Sequence, residues 1–188
     1  ALSPVDQTVL STTIVEDGSD GISWLGGLAA DFNDDGRIDI FAFGKGDAYW
    51  FEQPLVMGNN WVRHKVADAA WLMGAHIEDV DDDGDLDVIL SERSAVDGDS
   101  SLRGIGLWTN DGAGGFARTT IGTGAESTRQ SAFGDFDGDG DIDIATVVDG
   151  SVDEIVLLER TGPTTWTEHR EEAPLSHAAI IQSIAVGD

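Results

Sequence analysis

Three acidic nonapeptides govern what this chain can become: DFNDDGRID begins at Asp31, DVDDDGDLD at Asp79 and DFDGDGDID at Asp135. Each runs straight into a β-branched stretch, IDIFAF, LDVILS or IDIATVV. The starts lie 48 and 56 residues apart. The last four residues, AVGD, match the AFGD that leads into Asp135, so Asp188 reads as the start of a fourth motif. The chain is a repeat with a period of about fifty residues.

The segments between the motifs repeat as well. A second strand, rich in aromatic or aliphatic residues, is expected at AYWFEQ (48–53), IGLWTN (105–110) and EIVLLER (154–160). A third opens on a large ring: WVRHKV (61–66), FARTTI (116–121) and WTEHRE (166–171), with VLSTTI (9–14) in the same pattern. Small-residue segments lead into each motif: WLGGLAAD, WLMGAHIED, RQSAFGD and IQSIAVGD. Turn signals such as Asn110-Asp111-Gly112 separate the strands. No window carries helical periodicity. Four short strands per repeat predict an all-β fold, a β-propeller of four-stranded blades. Three complete blades and a strand at each end are expected, making 1–188 a single, partial propeller domain.

The acidic motif has a chemistry of its own. Positions 1, 3, 5 and 9 carry oxygen side chains and position 6 is Gly, as in the first nine positions of an oxygen-ligand calcium loop. The expected metal ligands are Asp31, Asn33, Asp35 and Asp39 in the loop 31–39, Asp79, Asp81, Asp83 and Asp87 in 79–87, and Asp135, Asp137, Asp139 and Asp143 in 135–143. Position 7 is expected to offer only its backbone carbonyl, so Arg37, Asp85 and Asp141 can all stand there. The glycine supplies the positive φ of the sharp turn. An EF-hand is excluded, because position 12 is Ala42, Leu90 or Thr146 where a bidentate Glu is required, and because the flanks are strands. About three calcium ions are expected.

Charge agrees with a cation. The 188 residues include 36 acidic and 10 basic side chains, for a net charge of -26. Such a surface repels nucleic acid and anionic membranes. No run approaches the ~20 apolar residues of a membrane-spanning helix. There are no cysteines, which excludes a disulfide framework and a thiolate metal site. The opening residues ALSPVDQT lack the basic and apolar regions of a signal peptide, as a mature chain that has lost its leader would.

The D-x-[DN]-x-D-G-x-x-D loop, set between a small-residue strand and an Ile/Val-rich strand and recurring along nearly the whole chain, resembles the FG-GAP/VCBS repeat family. Phe133-Gly134 supplies an "FG", but no Gly-Ala-Pro follows, so the likeness is to the VCBS side and not to integrins. The resemblance implies calcium held in hairpin loops between the first two strands of each blade. It also implies an extracellular, cell-surface or periplasmic location. The family's propellers close with more blades than this chain holds, so the remainder is expected in another chain or in further copies.

Function is expected at blade clefts or the channel mouth. The candidates there are His76, Arg129, Gln130 and Gln182 on the small-residue strands. Trp50, Trp61, Trp108 and Trp166 recur along the repeats, which favours core packing over sugar stacking. His64 and His169 share one repeat position, which favours a structural role. No nucleophile, zinc or phosphate-loop motif is present. The reading is a calcium-stabilised binding module for carbohydrate. The alternatives are a polysaccharide lyase or sugar dehydratase domain, and a structural or adhesive repeat.

Overall fold

Among the described residues eleven strands arise, because β-branched and aromatic runs are separated by Gly- and Asp-rich turns. The computed structural model describes residues 21–56, 58–69, 71–94, 104–122, 127–149 and 154–172. The strands are β1 (Ser23–Ala30), β2 (Asp39–Glu52), β3 (Val62–Ala69), β4 (Trp71–Glu78), β5 (Asp87–Ser94), β6 (Gly104–Asn110), β7 (Phe116–Gly122), β8 (Ser127–Gly134), β9 (Asp143–Asp149), β10 (Glu154–Gly162) and β11 (Thr165–Glu172). No helix occurs among the described residues. The repeat segments 9–14 and 181–188, and with them Gln182, lie outside the described residues.

The strands form three antiparallel sheets in simple chain order: β1-β2-β3, β4-β5-β6-β7 and β8-β9-β10-β11. The first sheet has three named strands because 39–52 is one extended run, where two separate strands were expected. That run doubles back. Gln53 N donates to Asp39 Oδ1 at 2.7 Å, whereas a straight strand would hold those residues roughly 45 Å apart. The first half of β2 pairs with β1 and the second half with β3, so the sheet has the same four lanes as its neighbours.

The sheets stack on one another through two cores. Phe32, Phe41, Trp50, Leu72, Leu90 and Trp108 fill the space between the first and second. Ile89, Ile105, Leu107, Ile144, Val156 and Leu158 fill that between the second and third. The middle sheet is buried on both faces: along β5, Val88 and Leu90 look one way and Ile89 the other. This is why its two central strands, β5 and β6, are buried almost throughout and without alternation. Trp50 and Trp108 differ from the repeat reading in an instructive way. Aligned on the neighbours of Asp39 and Asp87, they are offset by one residue, which reverses the face. Trp50 points forward from the first sheet and Trp108 backward from the second, and they share one core. Trp166 packs against the other core.

The leading strand β4 lies between β1 and β8 and packs against both, so the three sheets share one inner edge. This is a propeller-like arrangement, and it places all three acidic loops alike at the ends of the leading strands.

Candidate metal centres

Each acidic motif closes the same way. Ala30 pairs with Asp39, Glu78 with Asp87 and Gly134 with Asp143, so the first eight motif positions form the hairpin loop and the ninth begins the next strand. Glycine at position 6 takes the left-handed conformation in all three, with φ of 81° at Gly36 and 99° at Gly84 and Gly140. Position 4 does so too, at Asp34, Asp82 and Gly138, which the motif reading missed. The signal was the glycine in the third copy, since Asp is among the few other residues that tolerate this backbone.

The carboxylates build the loops from within. Position 1 accepts from the backbone of positions 5 and 6: Asp79 takes Asp83 N at 3.1 Å and Gly84 N at 3.0 Å, and Asp31 and Asp135 do likewise. Position 5 accepts from the N–H two residues on, at 2.9 Å from Asp35 to Arg37, Asp83 to Asp85 and Asp139 to Asp141. Position 9 is buried in every copy and ties its own strand to the start of the acidic loop and to the far end of the next lane of the sheet. Asp87 Oδ2 accepts from Val80 N at 3.0 Å and Oδ1 from Asn110 N at 2.8 Å. Asp39 bonds Phe32 N and Gln53 N, and Asp143 bonds Phe136 N and Arg160 N.

Two of these loops gather three carboxylates. In the second, oxygens of Asp79, Asp81 and Asp87 lie within 4.8 Å of one another; in the third, those of Asp135, Asp137 and Asp143 do. These are positions 1, 3 and 9. Asp83 and Asp139, at position 5, are not in the triads and serve their turn hydrogen bonds. In the first loop Asn33 stands at position 3, so the carboxylates at positions 1, 5 and 9 are Asp31, Asp35 and Asp39. The position-7 residues Arg37, Asp85 and Asp141 are half-buried. Arg37 pairs with Asp35 and donates to Gln53 O at 3.0 Å. Asp141 lies 3.8 Å from Arg160.

Electrostatics mark the triads as crowded. Asp81 Oδ1 is buried and has no hydrogen-bond partner, and burial together with the charge of Asp83 holds its carboxyl above the usual range. Burial raises Asp87 and Asp39 as well, against the pull of the backbone N–H groups of Asn110 and Gln53. An orphaned oxygen among like charges is what a bound cation would relieve. The donor set is all oxygen, the hard type that suits calcium, with no His or Cys in either triad.

The remaining candidates sit on the leading strands. His76, on β4, stacks on Phe133 at 5.2 Å and lies 3.3 Å from Glu78; burial lowers its pKa, against the carboxylate. Arg129 and Gln130 are on β8. Gln130 lines a cleft of about 490 Å³ at the shared inner edge, with Leu25, Leu28, Phe43, Met73 and Phe133. His64 and His169 each meet a carboxylate on the neighbouring strand, Glu52 at 3.0 Å and Glu159 at 2.8 Å.

The repeated loop, joined to meandering sheets, has a counterpart among known families. Residues 31–90 match the family model of the FG-GAP-like repeat. The FG-GAP-like segment opens on position 1 of the first loop and ends inside β5, so it contains one full interval of the repeat. The third loop lies beyond it and joins the series through its identical hydrogen bonds. No curated protein matches the chain.

Proposed function

We propose that the chain is a calcium-stabilised, propeller-like binding module that works outside the cell and takes carbohydrate as its ligand class. The observation that carries the metal half is the pair of aspartate triads, set at equivalent points of two sheets and including a buried oxygen with no partner. Asp79, Asp81 and Asp87 would hold one ion and Asp135, Asp137 and Asp143 another, with Asp31, Asn33 and Asp39 as the weaker first-loop counterpart. The ion's part is structural: it neutralises the loop that ties each leading strand to the next.

The inner-edge cleft supports the ligand half. Its volume falls within the ~300–1,000 Å³ of small-ligand sites, and it mixes apolar walls with Gln130 and Ser131. The sheet faces support a larger assembly. At position 2, Phe32 and Val80 are buried in the cores, while Phe136 is 39% exposed. At position 8, Leu86 packs against a core while Ile38 is 56% exposed. Further sheets of the same kind, in another chain or another copy, would cover both flanks.

A glycan array run in calcium and repeated in chelator tests the ligand class. Specific hits that vanish with Gln130→Ala support the reading, and an empty array overturns the carbohydrate assignment while leaving the metal assignment to its own titration.

A further inference from the structure

The two junctions between sheets are related by the repeat, yet they are filled differently. Between the second and third sheets, Arg160 is buried at 5% exposure. Its guanidinium reaches into the preceding sheet, donating to Val80 O and lying 3.3 Å from Glu78 Oε1. Nε and Nη2 also meet Gly162 O at 3.4 Å and Pro163 O at 3.5 Å.

The junction between the first and second sheets has the same frame. Asn110 N donates to Asp87 Oδ1 at 2.8 Å, as Arg160 N donates to Asp143 Oδ1 at 2.8 Å. Asn110 is therefore the counterpart of Arg160, and Phe32, Gly112 and Ala113 are the counterparts of Val80, Gly162 and Pro163. Asn110, however, turns back on its own sheet: Nδ2 donates to Leu86 O and Oδ1 accepts from Gly112 N, both at 3.2 Å. Where the guanidinium sits in the twin junction, a cleft of about 230 Å³ remains, lined by Phe32, Trp50, Glu52, His64, Asn110 and Ala113.

A carboxylate lines this cleft. Glu52 is held toward it by His64 at 3.0 Å, whereas the matching positions of the second sheet are Thr109 and Thr119. The wall is rigid, because Trp50 is stacked between Phe32 at 5.6 Å and His64 at 4.0 Å. No Lys or Arg lines it. It is smaller than a typical small-molecule pocket of ~300–1,000 Å³ and suits a single side chain.

We propose that this cleft receives the arginine side chain of a partner protein. A planar, weakly hydrated guanidinium, such as the twin junction holds against Glu78 and the Val80 carbonyl, suits a carboxylate-lined cleft better than an ammonium does, and buried arginines anchor protein interfaces. The net charge of -26 draws cationic partners to the surface. The inference is independent of the calcium and carbohydrate assignments.

The test is an amide-shift titration of the calcium-saturated protein in about 0.15 M salt, which screens the exposed acidic loops. The probes are N-acetyl-arginine amide, its lysine analogue, and the uncharged isostere N-acetyl-citrulline amide. The arginine probe is expected to move Asn33 and Gly112–Gly114 saturably, with the other two about tenfold weaker, as a lost charge-assisted hydrogen bond implies. Asn110→Arg, which places a guanidinium in the cleft from within, should abolish those shifts. Ala113→Trp, at an exposed hairpin position, should block them too and serves if the first variant fails to fold. Equal effects of arginine and lysine, shifts spread over all three acidic loops, or shifts that survive Ala113→Trp overturn the proposal.

Discussion

Arg160 donates its backbone N–H to Asp143 Oδ1 at 2.8 Å while its guanidinium reaches the carbonyl of Val80, eighty residues earlier in the chain. One residue thus joins the end of the third acidic loop to the second. Arg160→Met should destabilise the fold by about 2–4 kcal/mol, because the Val80 carbonyl loses its charged donor in a buried place. Arg160→Lys should recover little of this, since an ammonium cannot span the same acceptors. Urea unfolding of the two variants reads the difference.

The position-9 aspartates are architectural whether or not an ion is bound. Asp87→Ala orphans the N–H groups of Val80 and Asn110, at about 1–3 kcal/mol for each. Asp83→Ala removes one exposed turn hydrogen bond and should cost well under half as much. Chemical denaturation in chelator separates these losses from any loss of metal.

Glu92 and Arg118 supply a pH signature. The Glu92 carboxyl is 3% exposed and is pushed up to about 7 by burial, against the Arg118 guanidinium 2.6 Å away. Between its ordinary value of 4.5 and about 7 the folded chain keeps a proton that the unfolded chain releases, so this group's contribution falls as pH rises through that window and levels off above it. Glu92→Gln keeps the shape and removes the titration. Relative to the unsubstituted chain, it should gain stability between about pH 5 and pH 8, by at most ~3 kcal/mol. A constant difference across that range would show that the carboxyl titrates normally.

Gly106 makes that pair possible. It lies on β6 between Glu92 on β5 and Arg118 on β7, and a Cβ there would stand 2.6 Å from the Trp108 ring and 3.1 Å from Arg118 Nε. Gly106→Ala should cost about 1–3 kcal/mol by overpacking. It should also shift the pH profile in the same way as breaking the Glu92–Arg118 pair, which a purely local clash would not do.

What could be read from the chain follows the range of the interactions. The loop turns depend on residues within nine positions, so the acidic motif, its left-handed glycine and the flanking strands were legible. The strand order was legible because the repeat recurs. The two halves of 39–52 were anticipated as two strands, since the β-branched run IDIFAF and the aromatic run AYWFEQ are each local. The bond from Arg160 to Val80 was not legible, nor was the cleft beside Asn110, because both depend on which sheet face a residue meets after stacking. Position 5 was expected among the ligands. Asp83 and Asp139 fall outside the triads and each accepts the backbone N–H two residues on.

The central claim is that these loops are built around calcium, and thermal unfolding of chelator-treated protein during calcium addition tests it most directly. A site at 100-fold excess over its dissociation constant contributes ~2.7 kcal/mol, and for a chain of this size each kcal/mol moves the midpoint by about 2–4 °C. The midpoint should therefore climb by several degrees per site, more with calcium than with magnesium, and Asp79→Asn and Asp135→Asn should each remove part of the climb. A midpoint that is the same in calcium, magnesium and chelator would contradict the account.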